Sequence, residues 1–433
     1  MFATAPIHRY AKRIAHDLAR GRPAALTDEI AAYLETEPQG IFDNLNGLVE
    51  RVDEDDADEN LAGAYIALLV MQLEFLRYRI DRGHRQAIDL RAAFEERVVA
   101  LVREGESPGL LLGAVGAAMY QAKLDAGPVL RALQQEFLED DDDDEVGDDA
   151  DPDIAAALSN IAATCGGDVF AVIESLAEAT HAMPAAARSL FAARMLAGPA
   201  PVMREAAALL PLDADPEVRR TVAAALRGNA GSLTPAALRR LIAIRNWVSA
   251  EEQPTIDDTV RAARSSGVAC AGWKLATVTD LRASGIDGSS ATGVAMVSPN
   301  GGRHRFSSIL FRFGVGIIDA WSTEPMAKGR LRGMLRQAEE GLVLRSVSRR
   351  YLDQLVQHHL AVGLERGAPP PLTLLQVAET IGAAEWRPVR LDWQVTLEAL
   401  VAELPPALRA PARVAEVMKD SIVWASGESV TAS

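Results

Sequence analysis

Apolar residues recur at helical spacing along most of the first 138 residues. Segments 60–82 and 85–105 both place them at steps of three and four, the spacing of one helix face. Gly83 separates the two segments, at a position where helices commonly end in a left-handed residue. Pro108 and Pro128 open two further candidate helices, because proline fits the first helical turn. The pattern predicts a helical N-terminal domain over residues 1–138.

A different pattern follows at residues 139–153, which hold eleven acidic side chains and no basic one. Like charges repel, and almost no apolar side chain is available for burial. We expect an exposed acidic linker over these residues.

Three dipeptide steps, each of which ends in proline, then recur with a period of 32 residues. Proline is favoured at the first helical position, and aspartate is a good N-cap before it. Each step therefore predicts a helix start, and the spacing leaves room for a second helix in each unit. A fixed period of helix pairs is typical of an α-solenoid. The three steps are Asp151-Pro152, Met183-Pro184 and Asp215-Pro216.

The third unit opens with the sequence Asp215-Pro216-Glu217-Val218-Arg219 and continues into an alanine-rich helix that ends near Gly228. This sequence resembles a HEAT repeat, and the two units before it resemble one less closely. The resemblance implies a stack of paired helices over residues 154–266. Such a stack presents a long concave face made by the second helix of each pair.

The last helix pair would place arginine and tryptophan on that concave face. These residue types are the ones most often found as anchors of protein interfaces. We therefore expect the side chains of Arg239, Arg240, Arg245 and Trp247 to contact a partner protein. The leading hypothesis is a soluble, non-enzymatic interaction or scaffold protein.

The composition changes at Gly267, where short β-rich runs begin. Asn300-Gly301 lies between two of them and is a strong hairpin signal, because both positions accept a positive φ. We expect a small antiparallel β-meander over residues 267–323 and a helical C-terminal region over 324–433. The predicted fold is thus mainly α, with a HEAT-like, α-solenoid-like stack and one small sheet.

The net charge of −16 is concentrated in two acidic runs, 50–59 and 139–153, and the remaining residues are nearly neutral. The field of these runs disfavours non-specific binding to nucleic acid, which we do not expect as a partner. The longest apolar stretch, Gly109–Tyr120, is shorter than the roughly 20 residues of a membrane span. No secretory signal is visible at the N-terminus, so we predict a cytoplasmic protein.

Motifs with catalytic or ligand chemistry are incomplete. Residues 105–109 have the letters of a nucleophile elbow, but Pro108 lacks the backbone N–H that an oxyanion hole needs. Gly314 and Gly316 lack the third glycine of a dinucleotide site. The two acidic runs lack the glycine of a calcium loop. We therefore predict no catalytic residue, cofactor or metal.

Two alternatives stay open. The first is an enzyme or ligand sensor whose site lies between the β-meander and the C-terminal helices, formed by Asp319, Trp321, His304 and Arg305. The second is a nucleic-acid-associated protein that uses the stretch 303–350, which holds ten basic and four acidic residues. The sequence does not indicate the identity of a protein partner or the oligomeric state.

Overall fold

The structure is a computed structural model that describes residues 6–20, 27–52, 58–105, 107–133, 136, 150–180, 183, 185–274, 276–341 and 344–416. These residues are mainly helical, with one small antiparallel sheet, as the sequence predicts. Backbone contacts divide the chain into two units. One is Met1–Thr164 with Ala171–Phe191, and the other is Cys165–Phe170 with Ala192–Ser433.

The helices that precede the sheet are α1 (Pro6–Leu18), α2 (Asp28–Thr36), α3 (Gly40–Val52), α4 (Glu59–Asp81), α5 (Arg85–Glu104), α6 (Pro108–Gln121), α7 (Ala150–Thr164), α8 (Val169–Thr180), α9 (Ala185–Ala197), α10 (Pro201–Ala207), α11 (Pro216–Gly228), α12 (Pro235–Ile244) and α13 (Gln253–Ser265).

Helix α4 lies at the centre of the first unit and packs against α1, α3, α5 and α6. Its inward positions are leucines such as Leu68, Leu69 and Leu73, which are fully buried. By length and composition α4 would also be able to cross a membrane, a test that core helices of soluble proteins pass as well. The cytoplasmic location stays a prediction.

The ends of the N-terminal helices follow the sequence signals. Gly83 has a φ of +78°, and its N–H donates to the carbonyl of Ile80. The N–H of His84 donates to the carbonyl of Arg79, which completes a Schellman ending of α4. The prediction that this glycine ends the helix is confirmed.

The predicted acidic linker falls mostly outside the described residues. Its last part does not: residues 150–153 form the first turn of α7, which contains Pro152. The last four residues assigned to the linker are thus helical, and the helix includes the Asp151-Pro152 step that predicts a helix start.

Helices begin near each of the three periodic prolines. Pro152 lies in the first turn of α7, α9 begins at Ala185, and Pro216 is the first residue of α11. Pro184 itself is outside the described residues. Asp215 caps α11 by accepting from the N–H of Glu217 at 2.8 Å. The helix starts therefore follow the spacing that the sequence predicts.

The sheet has five antiparallel strands in the order β4-β3-β2-β1-β5. The first four form the predicted meander, and the three-residue β5, which the sequence analysis did not predict, pairs with β1. The strands are β1 (Asp280–Ser284), β2 (Ala291–Asn300), β3 (Arg303–Arg312), β4 (Gly316–Ser322) and β5 (Leu344–Ser346).

The β2–β3 hairpin turns one residue later than predicted. Asn300 pairs with Arg303 in the strand register, so the two turn residues are Gly301 and Gly302. Their φ values are +53° and +82°. Two glycines meet the positive-φ requirement of a two-residue turn at a lower steric cost than Asn-Gly does.

Four helices follow or interrupt the end of the sheet: α14 (Lys328–Gly341), α15 (Arg349–Glu365), α16 (Leu374–Ile381) and α17 (Trp393–Glu403). α15 and α16 pack against β4, and α14 packs against β3. At the crossing of β4 and α15, a Cβ added to Gly316 would lie 3.1 Å from the Cα of Gly363. The helical C-terminal region is thus present over 328–416 and is held against the sheet.

Candidate interaction surface

Trp247, one of the predicted partner contacts, lies in the interior. Its side chain is 1% exposed, and its indole N–H donates to the carbonyl of Trp386 at 2.9 Å. Buried tryptophan normally finds such an acceptor for its N–H. This contact fixes the end of the α12 region to the segment that follows α16.

Arg240 is also buried, and its charge is neutralised internally. Its guanidinium lies 2.8 Å from a carboxylate oxygen of Glu205 and 2.8 Å from one of Glu379. Its face lies over the ring of Phe170. Burial alone would lower the pKa of Arg240, but the hydrogen bonds and charges of Glu379 and Glu205 raise it above its ordinary value.

The other two predicted contacts are held by neighbours as well. Arg239 donates to Glu379 at 2.6 Å and to the carbonyl of Gly272 at 3.1 Å. Arg245 makes a two-pronged contact with Asp257, at 2.9 and 3.0 Å. The prediction of an exposed anchor face was therefore wrong for Trp247 and Arg240. Both residue types also stabilise interiors when a long-range partner satisfies their donors.

The residues of the predicted junction site do not meet in one place. His304 and Asp319 lie at register positions six residues apart along β3, roughly 20 Å at the rise of a strand. Trp321 packs against the ring of Phe306, at 5.4 Å between centroids. Arg305 faces the exposed carboxylate of Glu324. Because the four side chains do not converge, this arrangement is not suited to catalysis.

A groove of about 490 Å³ lies beside α11, between that helix, residues 248–256 and residues 364–369. Arg219 on its wall donates to Glu252 at 2.6 Å and to the carbonyls of Asp213 and Ala214. Burial alone would raise the pKa of Glu252, but hydrogen bonds from Arg219 and Ser249 outweigh this effect. The pKa of Glu252 is therefore below its ordinary value. These charged groups are already paired, so they act as a structural link.

A wider groove of about 970 Å³ in the first unit is lined by α2, α4 and α5. Gln72 on its wall accepts from the side-chain amide of Asn44 at 2.8 Å. Gln72 Nε2 and Asn44 Oδ1 have no other partner among the described residues. The two amides face each other in this contact, and the rest of the groove wall includes charged side chains such as Arg79, Arg82 and Asp89.

Most of the large apolar side chains that are exposed in the described part of the chain lie near its C-terminal end. There are fourteen such side chains, and eight of them lie between Val389 and Val414. None of the eleven residues of α17 is buried. Exposed apolar patches of this kind mark interaction sites in soluble proteins.

Four of the exposed apolar side chains at α17 form a row, while Val395, which is 61% exposed, lies on another face. Trp393, Leu397 and Val401 follow at steps of four residues, which places them on one helix face, and the C-cap residue Leu404 follows three residues later. Leu397 is 61% exposed and Val401 is 42% exposed. We call these four side chains the α17 row.

Two polar contacts hold α17 at its ends. The indole N–H of Trp393 points at Nε2 of His358 at 3.1 Å, and Arg350 contacts the carboxylate of Glu403 at 2.7 Å. Neither contact covers Leu397 or Val401. The helix is therefore positioned by its ends, and its apolar middle is left to solvent.

His358 does not satisfy both of the N–H donors that point at its ring nitrogens. Its Nδ1 faces the N–H of Leu391 at 3.2 Å, while its Nε2 faces the N–H of Trp393. A neutral imidazole accepts at only one nitrogen. Burial, followed by the charges of His359 and Arg390, lowers the pKa of His358 to about 4. The imidazole is thus neutral near pH 7, and only one of the two donors has an acceptor.

The sequence predicts a helical C-terminal region here but does not single out this helix as a site. A signal was present, since a short helix with apolar residues on several faces is unusual at a protein surface. Periodicity alone does not show which apolar residues stay uncovered, because that depends on the neighbouring elements.

Comparison with known proteins gives one family and one relative. A model of the second domain of Y4lR matches residues 184–267, a range that ends where the composition changes at Gly267. The uncharacterized protein y4lR of Sinorhizobium fredii (strain NBRC 101917 / NGR234) is 27% identical over 256 residues, covering 57% of this chain and 49% of the relative.

The chain thus spans about half the length of the curated relative that it matches. No solved structure matches. The helices α10 to α13 lie inside the range matched by the family model. What these comparisons give is similarity to the Y4lR second domain and to one uncharacterized protein.

Proposed function

We propose that this chain is a non-enzymatic protein-interaction or scaffold protein that combines a short HEAT-like stack of helices with an exposed docking helix. The single observation that carries the proposal is the α17 row, whose middle residues Leu397 and Val401 are 61% and 42% exposed to solvent. The helical stack supplies the rigid body from which that face is presented.

The packing of α10 to α13 supports the stack. α10 packs against α12, and α11 packs against α13, so alternate helices are neighbours. This is the arrangement expected when the first helix of one pair lies on the first helix of the next.

Polar contacts between consecutive helix pairs also fit a repeat. Arg219 contacts Glu252, Arg240 contacts Glu205, and Thr234 donates to Glu205. The residues of these contacts are separated by 33, 35 and 29 positions, close to the 32-residue period of the prolines. Each contact therefore joins one predicted repeat to the next.

The geometry of the α17 row defines the kind of partner. A row of apolar side chains over three turns fits a helix that lies in an apolar groove of another protein. Large apolar anchors such as tryptophan and leucine supply binding energy when a groove removes them from water. The partner is therefore a protein with an apolar groove about three helical turns long.

The test is quantitative capture from the native host with purified wild-type protein and two variants. The row variant carries Leu397→Glu and Val401→Glu, which places two charges on the exposed apolar face without removing a buried side chain. The control carries Ala399→Glu and Ala402→Glu, on exposed positions of the same helix away from the row. We expect a partner that the control retains and that the row variant binds at least ~10-fold more weakly.

The proposal is wrong if the row variant retains every partner as well as the control does. Sedimentation of the wild-type chain distinguishes a partner protein from a second copy. A dimer that the row variant abolishes would assign the row to self-association instead. Circular dichroism of both variants checks that α17 and the rest of the fold are intact.

A further inference from the structure

Helix α14 has one face on the sheet and one face in solvent. Leu331, Met334 and Leu335, at helical spacing, pack with Val297 and Phe306. The remaining flanks of the helix therefore point away from this core. The other residues of α14 supply the side chains that these flanks expose to solvent.

The first turns of α14 expose cations. Lys328, Arg330 and Arg332 are all exposed, and none of them has an ion-pair partner among the described residues. Arg303 lies at the same end, because its guanidinium donates to the carbonyl of Pro325, shortly before the helix begins. Residues two apart on a helix point roughly 200° apart, so Lys328 and Arg332 lie on one flank of α14 and Arg330 lies on the other. We call these four side chains, which surround the first turns of the helix, the α14 basic patch.

The position of these cations opposes the stability of the helix itself. A helix N-terminus carries a partial positive charge of about half a unit, which favours acidic residues in the first turn. α14 has no acidic residue there. Gly329 and Gly333 lower its helix propensity further. Such a conflict with local rules is expected where residues serve a ligand.

We propose that the α14 basic patch binds the phosphate backbone of a nucleic-acid strand without reading its sequence. Arginine forks match phosphate oxygens, and the helix N-terminus adds to their attraction for anions. A nucleic-acid strand carries a charged phosphate at every nucleotide of its backbone. An extended acidic peptide turns alternate side chains away from any one face, so only every second residue presents its charge there. This inference uses a surface other than the α17 row and is independent of the proposed function.

The net charge of −16 argues against nucleic acid only at long range. At physiological salt the field of an exposed charge is screened beyond roughly 8 Å. Within that distance the four cations act together with their neighbours, among them the exposed carboxylate of Glu324, which faces Arg305. Binding is therefore local and sensitive to salt.

The experiment measures fluorescence anisotropy of a labelled single strand of about 20 nucleotides with the full chain. Four phosphate contacts predict that affinity falls about 50-fold between about 50 and 200 mM salt. The patch variant Lys328→Gln, Arg330→Gln, Arg332→Gln should bind at least ~10-fold more weakly than the wild type at the lower salt.

The control variant removes the same charge elsewhere: Arg227→Gln, Arg261→Gln, Arg264→Gln, on exposed positions of α11 and α13. It should keep wild-type affinity. No binding by the wild type, an unchanged patch variant, or an equal loss in the control would each overturn the proposal. Equal affinity for poly-L-glutamate would also overturn it and assign the patch to acidic protein segments. Thermal melting verifies that both variants are folded.

Discussion

Arg240 shows at the scale of one residue why side-chain type alone does not identify an interface. Arginine is common at interfaces because its five donors satisfy carboxylates from several directions. The same property lets Arg240 join Glu205 and Glu379 inside the second unit, with Arg239 beside it. The guanidinium here links elements of one chain.

Replacing Arg240 by alanine should destabilise the fold by about 3 kcal/mol, because the largely buried carboxylate of Glu205 loses its counter-charge and that of Glu379 keeps only Arg239. Urea denaturation measures the change in the free energy of unfolding. Arg261→Ala is the matched control, since its exposed pair with Asp258 contributes about 0.5 kcal/mol or less. A loss below about 1 kcal/mol for Arg240→Ala would contradict this account of the buried network.

At the scale of elements, the crossing of β4 and α15 decides how the sheet meets the C-terminal helices. Gly316 has a φ of +133° and lies against Gly363. Glycine is needed at position 316 because an added Cβ would meet the backbone of Gly363 and because few other residues adopt its φ. A Cβ added to Gly363 would instead meet the carbonyl of Ala368. In the sequence, Gly314 and Gly316 form an incomplete dinucleotide motif and are expected to permit tight packing or a bulge. The structure gives Gly316 a packing role.

Gly316→Ala should therefore destabilise the protein by at least about 2 kcal/mol, through both backbone strain and overpacking. Gly314→Ala is the control, because Gly314 also has a positive φ, +73°, but an added Cβ there meets nothing within 4 Å. It should cost only about 1 kcal/mol. The two variants are compared by thermal and urea unfolding, and equal costs would show that the crossing itself is not tight.

At the scale of the whole molecule, the stability should depend on pH through the buried histidines. His358 and His359 are 5% and 1% exposed, and burial is the largest cause of the lowered pKa of each. Nδ1 of His359 donates to the carbonyl of Leu355, and the imidazole ring of His359 packs against the rings of Phe311 and Phe313. Arg390 faces both histidines and disfavours their protonation.

When a histidine has a lower pKa in the folded state than in the unfolded state, the unfolded chain binds more protons at pH values between the two pKa values. Stability is therefore full above about pH 6.5 and falls as the pH is lowered towards 4, by about 3 kcal/mol for His358. Urea midpoints between pH 7 and pH 4.5 measure this slope. His358→Gln keeps an acceptor for Trp393 and should flatten the slope; an unchanged slope would remove His358 as its cause.

Much of the fold was predictable because its signals are local. Helix spacing, Gly83 at the end of α4, Asp215 before Pro216 and the glycines of the β2–β3 turn act within a few residues of themselves. The one-residue shift of that turn shows the limit, since Gly301 and Gly302 compete with Asn300-Gly301 for the same positions. Strand β5 was missed because three residues carry too short a pattern.

The sequence by itself determined where helices and strands begin, because capping, proline placement and apolar periodicity depend on neighbouring residues. The tertiary structure alone decided which side chains are covered. Arg240 finds Glu379, and Trp247 finds the carbonyl of Trp386, in both cases across 139 residues. Leu397 and Val401 find no such cover. Burial depends on contacts between distant parts of the chain, and a local sequence pattern does not indicate those contacts.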